Sequence, residues 1–271
     1  MSRPSRTETL KRMVEINGLT WTLLVVVYAG CRTVNKNLRL PFLDRRIRAI
    51  EKRRGVPGMG ASEIQVLIWD SWEWDVDGGE KWTESSAWKD SLIRDVLRPR
   101  IPDGSDVLEI GPGAGRWTET LVELAGSLTL VDISSRCIEI CQDRFGDQGH
   151  VSFHVNRGSD LSFIDDECID VVWSFDVFVH LAVSDIKGYM AEFARVLRPG
   201  GQAVIHHAAG GGLQGGWRSA MTPEEFAEIA MGAGLIVVEQ FDAWGTSREF
   251  VVSTHQDVIS VIRKPSSHDG A

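Results

Sequence analysis

The chain has 271 residues, 43% hydrophobic and 25% charged, which suits one large domain with a core of its own plus an extension. The net charge of −9 is uneven: residues 1–60 carry 13 Lys and Arg against 4 Asp and Glu, and residues 61–271 carry 16 against 34. An acidic body argues against a nucleic-acid substrate, which needs a basic face. Four cysteines with no C-x2-C pair argue against a zinc site or a disulfide framework, so reduced thiols in a cytoplasmic protein are expected.

Residues 1–18 are polar and basic. Leu19–Gly30 is mostly apolar but short of the roughly 18–20 residues a spanning helix needs, and nine basic side chains follow from Arg32 to Arg54, Lys36 and Arg39 among them. Three readings compete for residues 1–60. An export signal is disfavoured by the long leading region and by Tyr28 ahead of Ala29-Gly30-Cys31. A buried helix could cover the body or a second copy in a homodimer. A hydrophobic and basic anchor would make a peripheral contact with an anionic membrane, placing a cytoplasmic protein at the inner membrane face.

Residues 55–60 read as a linker. Residues 61–100 form a helical lid rich in tryptophan: Trp69, Trp72, Trp74, Trp82 and Trp88 lie within twenty positions. They pack N-terminal helices on the sheet, close over a ligand, or both. Trp82, in the turn Glu80–Thr83 ahead of a helix from Ser86 to Leu97, is expected nearest such a ligand.

Residues 101–265 alternate short apolar strands with helices. Strands are expected at Asp106–Ile110, Ser127–Val131, Val151–Val155, Ile169–Ser174, Gln202–His206, Leu235–Phe241 and Asp257–Arg263. Helices are expected at Arg116–Leu124, after a cap at Ser134 or Ser135, at Val183–Leu197, and after Thr222-Pro223. This alternation predicts an α/β fold: a Rossmann-like, seven-stranded, mostly parallel sheet with helices on both faces, preceded by an N-terminal helical extension. Residues 266–271 read as a disordered tail.

The first strand ends in Glu109-Ile110-Gly111-Pro112-Gly113-Ala114-Gly115-Arg116. Gly111, Gly113 and Gly115 let the chain turn sharply and bring a ligand onto bare backbone. Arg116 stands where a dinucleotide fingerprint would have another glycine. Asp132, at the end of the second strand, is placed to accept both ribose hydroxyls of an adenosine group, with Ile133 packing on the adenine. The fourth strand runs into Phe175-Asp176-Val177-Phe178-Val179-His180. Asp176 and His180, spaced i,i+4, would share one face of a helix start. His206 and His207, at the end of the fifth strand, point to opposite faces, so at most one meets the cleft. Asp176 and His180 with one of that pair make a base and its orienter. A divalent metal on the same groups ranks second, since no spacing demands one. Trp217 and Arg218 are candidate acceptor contacts.

In order, the glycine turn, Asp132, the Asp176–His180 run, Leu197-Arg198-Pro199-Gly200-Gly201 and Gly234-Leu235-Ile236-Val237-Val238 resemble class I S-adenosylmethionine-dependent methyltransferases over about residues 86–264. The resemblance implies S-adenosylmethionine held by Glu109, Gly111, Gly113, Gly115, Asp132, Ile133, Gly158, Asp160, Phe175 and Trp82. Arg157 departs from the family's acid near the adenine; Gly158 would offer its N–H there and Asp160 would replace the acid. The D-x3-H run is similar to that of small-molecule methyltransferases, where the histidine is the base or its partner. The asparagine-proline signature of amide and nucleobase methylation is absent. These features point to a methyltransferase acting on a hydroxyl of a small molecule or glycan, with His180, Asp176, His206 and His207 as candidate catalytic groups. An N- or carboxyl-methyltransferase and an inactive cofactor-binding scaffold are the alternatives.

Overall fold

The computed structural model describes residues 5–34, 40–54, 56–74, 78–211, 218–252 and 256–266. Trp217, Lys36, Arg39, Gly55 and the tail beyond Ser266 lie outside them. The strands are β1 (Ser105–Ile110), β2 (Ala125–Asp132), β3 (Val151–Val155), β4 (Ile169–Phe178), β5 (Leu197–Ala208), β6 (Ile236–Phe241), β7 (Ala243–Trp244), β8 (Phe250–Val251) and β9 (Asp257–Arg263). β7 and β8 form a small hairpin; the other seven share one sheet in the order β3-β2-β1-β4-β5-β9-β6. From β3 to β5 neighbours run parallel, and β9 is antiparallel to both β5 and β6. This is the mostly parallel, doubly covered sheet that the strand–helix alternation predicts.

The two-residue period of the strands sorts the core. Leu108 and Ile110 of β1, Val172 of β4 and Ile205 of β5 enter one apolar layer. Val107, Val171, Trp173 and Val204 enter the other. On the first side lie α8 (Val183–Val196) and α9 (Pro223–Gly232), contributing Phe193 and Phe226. On the second lie α5 (Ser86–Leu92), α6 (Thr118–Leu124) and α7 (Ser135–Phe145), contributing Leu92, Leu121 and Phe145. Ser134 Oγ accepts the Cys137 N–H at 3.2 Å and Thr222 Oγ1 accepts the Glu225 N–H at 3.2 Å, so the expected helix caps form.

Four further helices precede the sheet: α1 (Arg6–Asn17), α2 (Leu19–Val34), α3 (Pro41–Arg54) and α4 (Ser62–Ser71). Trp21, Tyr28, Ile47, Met59, Ile64 and Ile68 bury together as their common core. The stretch expected to be a linker is packed instead: Gly58 and Met59 are buried. The Asn17 amide clamps Gly58, donating to its carbonyl and accepting its N–H, both at 3.0 Å.

β4 runs four residues past its expected end. Its pairing with β5 slips between Ser174↔Ile205 and Phe178↔His207, four residues against two, which is a bulge. Asp176 sits in it with φ 64°, a left-handed backbone that non-glycine residues rarely adopt. Asp176 and His180 therefore do not share a helix face; the run Val177-Phe178-Val179 continues as strand and turn.

Candidate active site

Where the strand order reverses, between β1 and β4, the carboxyl ends of the parallel strands open into a cavity of about 750 Å³. Its floor at one end is bare backbone. Gly111 (φ 71°) and Gly113 (φ 59°) line it. A Cβ on Gly111 would run into Val177, and one on Gly113 would come 3.0 Å from the Trp74 ring. Asp132 closes this end: its carboxylate accepts the Gly113 N–H at 3.2 Å and the Ser134 N–H at 2.9 Å. Burial lifts its pKa to about 6 against those hydrogen bonds, so it is mostly ionised at neutral pH. With about four lone-pair positions, a carboxylate keeps capacity for a diol. Beside the cavity-lining Gly158 and Tyr189, the buried Asn156 Oδ1 has no hydrogen-bond partner among the described residues, while its amide nitrogen donates to both Gly158 O and Tyr189 Oη. Bare turn, ionised Asp132 and an unmet acceptor together fit an adenosyl group such as that of S-adenosylmethionine.

The other end is built from side chains. The bulge turns Asp176 into the cavity, where Arg116 pairs with it. The Arg116 guanidinium is buried and lies 4.7 Å from the Trp117 ring centroid. Behind Asp176 stands His206, 3% exposed and stacked on Phe175 with ring centroids 4.2 Å apart. Its Nδ1 lies 3.1 Å from both Asp176 Oδ1 and the Asp176 backbone N, and its Nε2 lies 3.5 Å from Asp257 Oδ2. Neutral, the ring can accept the Asp176 N–H; charged, it donates to the carboxylate. Burial alone would lower the His206 pKa, but hydrogen bonds to Asp176 and Asp257 carry it above the usual histidine value. Burial likewise opposes ionisation of Asp176, yet His206 and Arg116 hold it well below the usual carboxylate range. Arg218 continues the line, 2.8 Å from Asp257 Oδ2, and its carbonyl accepts Arg48 of α3 at 2.9 Å.

Four indoles form the outer wall. Trp69 has ring centroids 5.8 Å from Trp72, 5.8 Å from Trp74 and 6.2 Å from Trp82. All four line the cavity, as does His180, whose ring lies 5.5 Å from Trp69. Trp88 is separate: it is buried against Trp117, Phe175 and Trp244. Ala29 of α2 completes the wall.

Of the expected cofactor residues, Gly111, Gly113, Asp132, Ile133, Gly158, Phe175 and Trp82 line this cavity. Gly115, Glu109 and Asp160 do not. Gly115 faces away, where a Cβ would meet Phe145 at 2.6 Å. Glu109 is 1% exposed beneath the turn, accepts Thr118 Oγ1 at 2.7 Å, and burial pushes its pKa to about 8. Asp160 is exposed and accepts the Ser162 N–H at 3.0 Å.

Of the expected catalytic residues, Asp176 and His180 reach the cavity and the histidine pair does not. His206 lies behind Asp176, out of reach of the cavity. His207 faces the opposite side of β5, stacked on Phe226 at 3.9 Å and held by Ser260 Oγ at 2.7 Å, with burial pushing its pKa to about 3. Arg116 and Gln65 also line the cavity, and Asp257 stands behind His206; of these three, only Arg116, in place of a glycine, carries a signal in the sequence. Among the described residues, no group of three or more His, Cys, Asp and Glu is placed to hold a metal ion.

Residues 107–201 match the family model described as methyltransferase domain. A demethylmenaquinone methyltransferase of Tropheryma whipplei is 34% identical over 105 residues, covering 39% of this chain and 42% of that one. A protein of Mycobacterium avium, provisionally named an O-methyltransferase, is 30% identical over 127 residues, 44% of this chain and 55% of that one. The chain thus spans about half the length, or less, of these relatives. The structure of the N-methyltransferase NodS from Bradyrhizobium japonicum, in complex with S-adenosyl-L-homocysteine, superposes with a TM-score of 0.57 at 21% identity, covering 70% of this chain and 93% of that one. The chain has the fold of S-adenosylmethionine-dependent methyltransferases, and its residues 107–201 match a methyltransferase domain.

Proposed function

We propose that this methyltransferase domain moves a methyl group from S-adenosylmethionine to a hydroxyl of a small molecule or glycan, with His180 as general base. The observation that carries the reading is one cavity whose lining includes both the bare Gly111–Gly113 turn with Asp132 and the pair Asp176 and His180. Bound S-adenosylmethionine supplies a methyl group on a sulfonium, already a good leaving group. The chain's own task is orientation and removal of a proton from a poor nucleophile. Asp132 would accept the ribose hydroxyls and Ile133 would pack on the adenine. The indoles of Trp69, Trp72, Trp74 and Trp82 would exclude water and stack on a flat acceptor ring. Asp176, kept anionic by Arg116 and His206, would stabilise positive charge beside the transferring carbon or on His180.

The O-methyltransferase name of one relative supports a hydroxyl acceptor, and the quinone-methylating name of another suits an apolar ring against the indoles. The acidic body suits cytoplasmic work on small molecules, with residues 1–60 reaching the inner membrane face. The decisive experiment supplies isotope-labelled methyl donor to fractionated metabolites. His180→Ala should lower turnover by roughly 10²–10⁴-fold while cofactor affinity, read by calorimetry, stays within about twofold. Unchanged turnover would remove His180 as base and favour an amine or carboxylate acceptor. Cofactor binding with no labelled product from any fraction would favour a scaffold.

A further inference from the structure

Seven of the twelve large apolar side chains exposed among the described residues fall between Leu10 and Phe42. On α2 they form one stripe: Leu19, Leu23, Val26, Val27 and Val34, from 43% to 90% exposed. The opposite face of the same helix buries Trp21 and Tyr28 and sends Ala29 into the cavity. A helix in a water-exposed cap has no reason to turn its valines outward unless something apolar covers them. The packed neighbours α1 and α3 show exposed cations, among them Lys11, Arg45, Arg46, Lys52 and Arg53, and Phe42 at 69% exposure. Residues 61–271, by contrast, are strongly acidic. Among the described residues no helix is long and apolar enough to cross a membrane.

We infer that the exposed stripe of α2 lies in the surface of an anionic lipid bilayer, and that the acceptor is an amphiphile reaching the cavity from that bilayer alongside Val26–Gly30. An apolar stripe flanked by cations is what an interfacial helix needs, and the opposite charge of the body turns the molecule cap-down on an anionic surface. Val26, Val27 and Gly30 are exposed while Ala29 between them lines the cavity, so little more than one turn of the helix borders both lipid and site. The second half of the inference rests on the methyl-transfer reading; the first does not.

Flotation of the full chain with phosphatidylcholine vesicles, with and without about 30% phosphatidylglycerol, tests the surface. At least about tenfold more protein should float with the anionic vesicles, with binding weakened as salt is raised through about 0.5 M. Leu23→Asp with Val27→Asp, and separately Arg45→Glu with Arg46→Glu, should each cut it by about tenfold or more. Circular dichroism and thermal melting should stay as in the parent chain, since these positions are exposed. Equal flotation on neutral vesicles, or double variants that float as the parent does, would overturn the surface. So would a parent dimer that the aspartate pair makes monomeric with flotation unchanged, because the stripe would then belong to a second copy. For the acceptor, labelled donor is given to vesicles made with a cellular lipid extract and, in parallel, to the aqueous extract. Label in the lipid phase, lost in the aspartate variant, is expected. Label only in the aqueous products would overturn the amphiphile, while no label in either would count against methyl transfer and leave the flotation result standing.

Discussion

The two ends of the cavity are made in different ways. The turn end comes from one contiguous stretch, β1 through the loop after β3, and is shaped by backbone: glycines without a Cβ and an aspartate pinned by two N–H groups. The indole end is assembled from Ala29, Gln65, Trp69, Trp72, Trp74, Trp82, Arg116, Asp176, His180 and Arg218, and is shaped by side chains that support one another. A backbone-shaped end serves an invariant ligand, because a parallel sheet always presents its strand ends there. A side-chain-shaped end can be rebuilt without touching the sheet.

Truncation at the indole end should therefore cost stability or acceptor binding, and truncation at the turn end should cost cofactor binding. Arg116→Ala is the sharpest case, since it leaves the half-buried Asp176 carboxylate without its guanidinium; about 1–3 kcal/mol of unfolding free energy should be lost in urea titrations. A loss below about 1 kcal/mol would mean that His206 alone holds Asp176. Asp132→Ala should instead weaken S-adenosylhomocysteine binding by roughly 10²-fold in calorimetry, the worth of two hydrogen bonds to a charged group. In the parent chain that affinity should decline as pH drops through about 6, where Asp132 takes up its proton. Trp69→Ala should raise the acceptor KM by about tenfold, in line with the loss of one stacking partner, and leave cofactor affinity unchanged; a parallel fall in both would erase the division between the two ends.

The smallest expected effect is a shift along the pH axis. His206 has a raised folded pKa, so its contribution to stability is complete below the unfolded value near 6.5 and is lost as pH rises through the higher folded value. Asp257→Asn removes one of the two carboxylates that raise it. The fall in unfolding free energy, which starts near the unfolded value in both chains, should then be smaller and end at lower pH than in the parent chain. Coincident stability–pH curves would show that Asp257 does not influence the ring.

How much of this was legible in the sequence follows the same division. The turn, Asp132, the sheet and the caps of α7 and α9 are local patterns with local causes. Ser134 needs only the N–H three residues on, and Gly111 only a strand before it. The opposite facing of His206 and His207 was also readable, because strand alternation is local. The fourth strand was cut short because the spacing of Asp176 and His180 suits a helix, whereas the β-branched and aromatic run between them keeps strand geometry and forms a bulge. Arg218 is legible as an acceptor contact and does line the cavity, but its pairing with Asp257, and that of Asp257 with His206, is not, because only the pairing of β9 with β5 brings Asp257 there. The five neighbouring tryptophans divide, with Trp88 entering the core and four facing the cavity, on helix orientations that no spacing in the chain records.

Three long-range bonds of the N-terminal helices carry a consequence for how the molecule is made. Arg48 reaches the carbonyl of Arg218 across 170 positions, Ser62 reaches Asp185 across 123, and Ser134 donates to Asp70 across 64. Helices α3 and α4 thus find these partners only after residues 218 and 185 have been made. Long closures of this kind are slow relative to local helix formation. The cap is accordingly expected to be the last piece to settle, with its apolar stripe showing throughout synthesis, which gives a nascent chain an early opportunity to meet a lipid surface.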